Sequence, residues 1–172
     1  MSSWILARLH HHDERMLHAF VSRRQPGLDR LMRALTHLGD AAVTIGLTLL
    51  LLAGPVPGAG MSAAFALVGS HLCVQLIKRT VSRARPCLPM GVSALVQPPD
   101  RFSFPSGHAA ASLSVALAVA QVLPGSAAAA VVALAMLVGL SRCYLGVHYP
   151  GDVVAGWTLA VAWFAGAGIV PG

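Results

Sequence analysis

Apolar and polar positions are segregated along this chain rather than interleaved. Five long apolar segments run from about Leu38 to Gly54, Gly60 to Ile77, Ser106 to Leu123, Ser126 to Leu140 and Pro150 to Ile169. Pro55 and Pro57 close the first, Lys78 closes the second, Pro124-Gly125 turns between the third and fourth, and Ser141-Arg142 ends the fourth. A membrane-crossing helix needs about 20 residues, with about 17–25 the usual range, so several of these segments sit at the short limit. Backbone groups in hydrocarbon must be bonded within their own segment, which helices achieve. The pattern therefore predicts an all-α fold, a polytopic bundle of about five transmembrane helices. Small residues at Ala109 to Ala111, Ala127 to Ala130 and Gly139 let such helices approach closely.

The first 37 residues read differently. Leu17, Phe20, Val21, Leu28, Leu31, Met32 and Leu35 alternate with Arg15, Arg23, Arg24, Arg30 and Arg33, and Gln25-Pro26-Gly27 divides the stretch in two. Each piece predicts an amphipathic helix at the membrane surface with its arginines toward headgroups. Packing as a cap on the bundle is compatible with this. The expected organisation is a single integral-membrane domain over 1–172, with an interfacial segment 1–37 and a transmembrane core 38–170.

Composition supports the lipid reading: 56% of residues are hydrophobic and 10% charged, where a soluble domain carries about 25% charged residues. The net charge of +6 points to anionic membrane lipids. A nucleic-acid partner is not expected, because no soluble basic face is available. Met1 to His12 lacks the apolar run of a secretory signal, so the spans themselves would direct insertion. Cys73, Cys87 and Cys143 form no CxxC or zinc spacing and read as three reduced thiols, although Cys87 and Cys143 each follow a motif arginine closely.

The chemistry lies at the ends of the apolar segments. Lys78 is followed after six residues by Arg85-Pro86; Pro105-Ser106-Gly107-His108 opens the third segment; Ser141-Arg142, His148 and Asp152 join the fourth to the fifth. Strict up-and-down threading brings all three clusters to one side of the membrane. Ser106 is a natural N-cap, the helix N-terminus behind it is an anion site, and Gly107 admits close approach to the backbone. Arginine grips phosphate through a planar fork and lysine acts as a point charge. If the helix continued to Arg85, Lys78 and Arg85 would share a face two turns apart, while Arg79 and Arg83 read as ordinary cations snorkelling at a helix end. Pro150 suits the first position of a helix, which puts Asp152 in its first turn. Asp152 can there accept the Nδ1 proton of His148, leaving Nε2 free as a nucleophile or base. A carboxylate cluster for two-metal catalysis is not expected, since of the six acidic residues only Asp100 and Asp152 fall in the motif region. His10-His11-His12 reads as an exposed polar tract rather than a metal site.

These three motifs, complete and in order, resemble those of the type 2 phosphatidic acid phosphatase (PAP2) superfamily, which includes bacterial lipid phosphatases, glucose-6-phosphatase and the vanadium haloperoxidases. The resemblance covers about residues 38–170. It implies a phosphatase that needs no metal or other cofactor, acting on a lipid-linked phosphate or diphosphate. By resemblance His148 is the nucleophile and forms a phosphohistidine, Asp152 orients it, and His108 protonates the leaving oxygen and then activates water. Lys78, Arg85, Ser106, Gly107 and Arg142 would hold the phosphate oxygens. A phosphatase of a soluble ester, a vanadium-dependent haloperoxidase and a non-catalytic binder of anionic lipid are the alternatives. Membrane members of the family usually carry six spans and an extracytoplasmic site, whereas five spans are legible here. All twelve Lys and Arg residues lie in the N-terminal segment, the long loop or the motif ends. The positive-inside rule then predicts a multi-pass protein of the cytoplasmic membrane with its active site facing the cytoplasm. A homo-oligomer is compatible with the sequence.

Overall fold

The computed structural model describes residues 2–167, and each expected apolar segment is a helix in it. The N-terminal stretch forms α1 (Ser2–Val21) and α2 (Pro26–Thr36), divided at the expected break. A 3-10 turn (His37–Gly39) leads into α3 (Ala41–Ala53), followed by α4 (Pro57–Val81), α5 (Gly107–Ala120), α6 (Gly125–Tyr144) and α7 (Pro150–Ala167). The expected end of the fifth segment, near Ile169, lies outside the described residues. Among the described residues the one extended pairing is an isolated bridge between Ala84 and Phe102. Phe104-Pro105 is a cis peptide bond.

Length and apolarity separate the five apolar helices. Pro57–Val81 and Gly125–Tyr144 are long and apolar enough to cross a membrane; Pro26–Gly39 with Ala41–Ala53, bent by 50°, would make a third crossing if taken as one broken span. α5 has only 14 residues, about 21 Å at 1.5 Å per residue, and so falls short of a hydrocarbon core of about 30 Å.

The packing is that of a bundle in lipid. Leu50, Met61, Leu72 and Leu76 point outward, while Ala63, Ala66, Ala109, Ala118 and Ala160 are buried. Without water to drive apolar side chains inward, close contact between small residues holds the helices together. α5 is central, packed against α4, α6 and α7, and Ser70 Oγ meets Ser114 Oγ at 3.2 Å between α4 and α5. Gly156 permits a close approach of α7 to the start of α5: a Cβ there would lie 2.5 Å from the Ser106 carbonyl oxygen. That approach lets the Ser106 N–H donate to the Asp152 carbonyl at 2.9 Å, which fixes the second motif against the third.

α1 and α2 cap the motif end of the bundle. Leu17 and Val21 are buried with Tyr149. Arg24 donates to the Tyr144 carbonyl at 3.0 Å and the Ser93 carbonyl at 2.7 Å, and Tyr144 donates its hydroxyl to Asp29 at 2.6 Å. Arg15, Arg23, Arg30 and Arg33 remain exposed on the outer side, so the cap and the arginine face coexist.

Candidate active site

The three motifs meet at one end of the bundle. α4 does not continue to Arg85 as the spacing suggested. It stops at Val81, where Ser82 takes the left-handed conformation (φ 49°) and donates its N–H to the Lys78 carbonyl, a helix-terminating cap. The chain beyond runs alongside residues 102–103, with the Ser103 N–H donating to the Arg83 carbonyl at 2.9 Å and Ser103 Oγ to the Ala84 carbonyl at 2.9 Å. This pairing, not a shared helix face, unites the two cations. Asp100 sits between them, accepting from Lys78 Nζ at 2.5 Å and Arg85 Nη2 at 2.7 Å. Its carboxylate occupies the kind of position an anionic ligand would take, and the two cations hold its pKa below the ordinary value against the opposing effect of burial.

His148 lies in the link between α6 and α7, essentially buried. Arg85 Nη1 donates to the Val147 carbonyl at 2.8 Å and to His148 Nε2 at 2.9 Å. A guanidinium can only donate, so Nε2 is the acceptor and the imidazole proton resides on Nδ1. Nδ1 faces Asp152 Oδ2 at 3.5 Å, longer than a formed hydrogen bond but with the expected partner. Catalytic bonds of this kind often tighten only when substrate is bound. Asp152 Oδ2 also accepts from the Tyr149 N–H at 2.9 Å, which locks the carboxylate into the first turn of α7. Burial, together with Arg85 and Arg142 and against the opposing pull of Asp152, brings the His148 pKa down to about 3. The ring is therefore neutral at physiological pH, with its lone pair on Nε2. The sequence left that lone pair free, whereas here Arg85 occupies it.

His108, on the first turn of α5, pairs through Nε2 with Asp40 Oδ1 at 2.9 Å, and His37 Nδ1 reaches Asp40 Oδ2 at 2.8 Å. Ser106 caps α5 in an extended conformation without using its side chain, and its Oγ is buried with no partner. A Cβ at Gly107 would meet only Val74 Cγ1 at 3.8 Å. Packing within the protein thus does not demand glycine there, which leaves open approach to the backbone as its use. Arg142 is buried; its Nη1 donates to Thr36 Oγ1 at 2.5 Å and its Nε has no partner. A cavity of about 150 Å³ beside His108 and Arg142 is lined by Thr36, His37, Asp40 and Gln97 among others. The arrangement offers cationic and hydroxyl donors for an anion, a neutral histidine next to them, and a second histidine paired with a carboxylate.

Sequence reasoning missed four residues here. Asp40 stands with His108, and Thr36 with Arg142. Asp13 and Arg83 form an ion pair at 2.8 Å, and Arg83 Nη1 reaches Asp152 Oδ1 at 2.6 Å. The motif region thus holds four carboxylates rather than two, and Arg83 is an internal partner rather than a snorkelling cation. Asp13, Thr36 and Asp40 come from the N-terminal segment, whose approach to the site no local pattern announces. The three cysteines are free, and no group of three or more metal-ligating side chains occurs among the described residues.

The PAP2 superfamily profile matches residues 59–169. Decaprenylphosphoryl-5-phosphoribose phosphatase of Mycolicibacterium smegmatis is 37% identical over 137 residues, covering 77% of this chain and 73% of that protein. The crystal structure of Aquifex aeolicus LpxE superposes with a TM-score of 0.82 at 24% identity, covering 91% of this chain and 94% of that one. The PAP2-type phosphatidylglycerolphosphate phosphatase of Bacillus subtilis superposes with a TM-score of 0.74 at 28% identity, covering 94% of this chain and 85% of that one.

Proposed function

The chain belongs to the PAP2 superfamily, and from that premise we propose that it is a membrane phosphatase that removes phosphate from a lipid-linked phosphate by way of a phosphohistidine, without a metal. The observation that carries this reading is the position of Asp100, a carboxylate held by Lys78 and Arg85 next to a buried neutral His148. A phosphate that displaces Asp100 inherits those two cations, and Arg142, the free Ser106 hydroxyl and the α5 N-terminus at Gly107 supply the remaining donors. Arg85 turns from His148 to the phosphate and so releases the Nε2 lone pair. Nε2 attacks phosphorus and forms the P–N bond as the P–O bond to the leaving group breaks. His108 gives a proton to the departing oxygen, and Asp152 supports the cationic imidazole through Nδ1–H. Water then attacks the phosphohistidine, His108 takes its proton, and the P–N bond breaks to free phosphate. Fixed charges and positioned donors carry most of the catalysis in such a transfer.

The preferred substrate class is a monophosphate on a hydroxylated lipid headgroup. The cavity at His108, where the leaving group of an in-line attack would sit, is lined by Thr36, His37, Asp40 and Gln97. These side chains suit hydroxyl groups; Arg142, also in the lining, is taken by the transferred phosphate in this reading, which leaves the Asp40 carboxylate to oppose a second one. Polyprenyl-phosphoribose phosphate and phosphatidylglycerophosphate have this form. The test is phosphate release by the purified protein in detergent with EDTA, against a panel of lipid monophosphates, a polyprenyl diphosphate and soluble esters. EDTA-resistant release that is fastest from lipid monophosphates is expected. Release from soluble esters alone, or release abolished by EDTA, would overturn the reading.

We further propose that the whole chain is one membrane domain whose helices α3 to α7 lie in the bilayer and whose site faces the cytoplasm. With Lys78, Arg85 and Arg142 set aside as phosphate ligands, nine cations remain on the motif side. The turns at Gly54–Val56 and Gln121–Pro124 carry none, and cytoplasmic segments are the ones enriched in Lys and Arg. Cys87 is exposed in the loop beside the site. With Cys73 and Cys143 replaced, Cys87 should resist a membrane-impermeant maleimide added to intact cells and react once the membrane is opened. Labelling in intact cells would place the site outside.

A further inference from the structure

We infer that Arg83 is a positioning residue for the nucleophile, clamping Asp152 from the side opposite His148 and anchored in turn by Asp13 of α1. The inference rests on the phosphohistidine reading above. Asp152 is fully buried, and its two oxygens have separate tasks. Oδ2 faces His148 Nδ1 and the Tyr149 N–H; Oδ1 accepts from Arg83 Nη1 at 2.6 Å. A buried carboxylate without a cationic partner takes up a proton or turns toward another donor. Either change would leave Nδ1–H unsupported at the moment the imidazole becomes cationic.

Arg83 is itself held on every side. Nη2 donates to Asp13 Oδ2 at 2.8 Å and meets His10 Nδ1 at 3.1 Å. The guanidinium lies over the Tyr149 ring at 4.1 Å, and the backbone carbonyl accepts from Ser103. Asp13 uses its other oxygen to accept from the Gly151 N–H at 2.8 Å, at the start of α7. A continuous chain of contacts thus runs from the surface helix through Asp13, Arg83 and Asp152 to His148. None of the Arg83 contacts involves Asp100, the carboxylate lodged between Lys78 and Arg85. Arg83 should accordingly affect turnover and leave phosphate binding alone.

The guanidinium also lines a cavity of about 750 Å³ between α1, the end of α4 and α7, with Met16, Val81, Phe104 and Val154 among its walls. That space is large enough for a free guanidinium ion to take the place of a deleted side chain. The experiment is steady-state phosphate release from the best lipid monophosphate by the wild type, Arg83→Gln, Arg83→Ala and Arg83→Lys, with thermal melts to confirm folding. Loss of a supporting partner of this kind elsewhere costs about 10- to 100-fold; kcat of Arg83→Gln should fall by that factor with KM within about twofold. Arg83→Lys should recover part of the loss. Added guanidinium should raise kcat of Arg83→Ala by about tenfold, a gain of about 1.4 kcal/mol, and should not rescue His148→Ala. A raised KM at unchanged kcat would make Arg83 a phosphate ligand and overturn the inference. So would unchanged kinetics, or a folded Arg83→Ala indifferent to guanidinium. An inactive wild type would instead sink the phosphatase reading from which the inference starts.

Discussion

His148→Ala should lower phosphate release from a lipid monophosphate by at least about a thousandfold, the scale on which loss of a covalent nucleophile is felt. KM should barely move, because Lys78, Arg85, Arg142 and Ser106 remain to bind the phosphate. His148 is neutral because burial lowers its pKa to about 3, and it is aligned because Arg85 and Asp152 face its two nitrogens. Neither group facing its nitrogens offers a neutral lone pair in its place: Arg85 only donates, and Asp152 is turned toward Arg83 and the Tyr149 backbone. Brief reaction with a labelled substrate and quenching in alkali, where phosphohistidine survives, should show phosphate bound to the wild type and none on the variant. Equal rates for the two proteins would remove His148 from the chemistry. So would labelled phosphate on the variant.

The fold could be read from the sequence wherever a local signal decided it. Pro55, Pro57 and Pro124-Gly125 end or turn helices by their backbone chemistry alone, and the five apolar helices stand between them. The convergence of the motifs followed from threading, and contacts such as Arg85 with His148 and Asp100 realise it. The errors arose where the outcome depended on tertiary approach. A helix reaching Arg85 was a fair reading of the spacing, but Ser82 adopts a left-handed cap because the following residues pair with the chain at Phe102 and Ser103. Arg83 resembled any cation at a helix end; only the descent of α1 onto α7, with Asp13 at the Gly151 N–H, turns it inward. Asp40 counts in the sequence only as one of six acidic residues, outside the motif region. Its side chain makes no cap bond, and it reaches His108 because Gly39 lies against that residue, where a Cβ would stand 3.0 Å from His108 Cβ. Polar residues of an amphipathic cap carry no periodicity that shows which of them faces a site.

The role of His108 should show as a dependence on the leaving group. In the proposed cycle it first donates a proton to the departing oxygen and later takes one from water. General acid catalysis of this kind contributes about 10²- to 10⁴-fold, and the benefit is greatest for an alkoxide, which leaves poorly without a proton. His108→Ala should therefore lose about that factor on a lipid phosphate ester. On an aryl phosphate with an acidic phenol the first step needs no acid and should proceed nearly as in the wild type. The second step still lacks its base, so the phosphohistidine should accumulate as a burst followed by slow turnover. Asp40 shares this dependence through its 2.9 Å contact with His108 Nε2, since its carboxylate holds Nε2–H and favours the imidazolium form that donates its second proton from Nδ1; Asp40→Asn should give a weaker version of the same pattern. A His108→Ala defect of equal size on both substrates, without a burst, would mean that His108 binds phosphate rather than moving protons. The site would then need another acid, and His37, which shares Asp40 with His108 and lines the same cavity, is the side chain left to supply it, since Thr36 is a hydroxyl engaged by Arg142 and Arg142 cannot give up its proton.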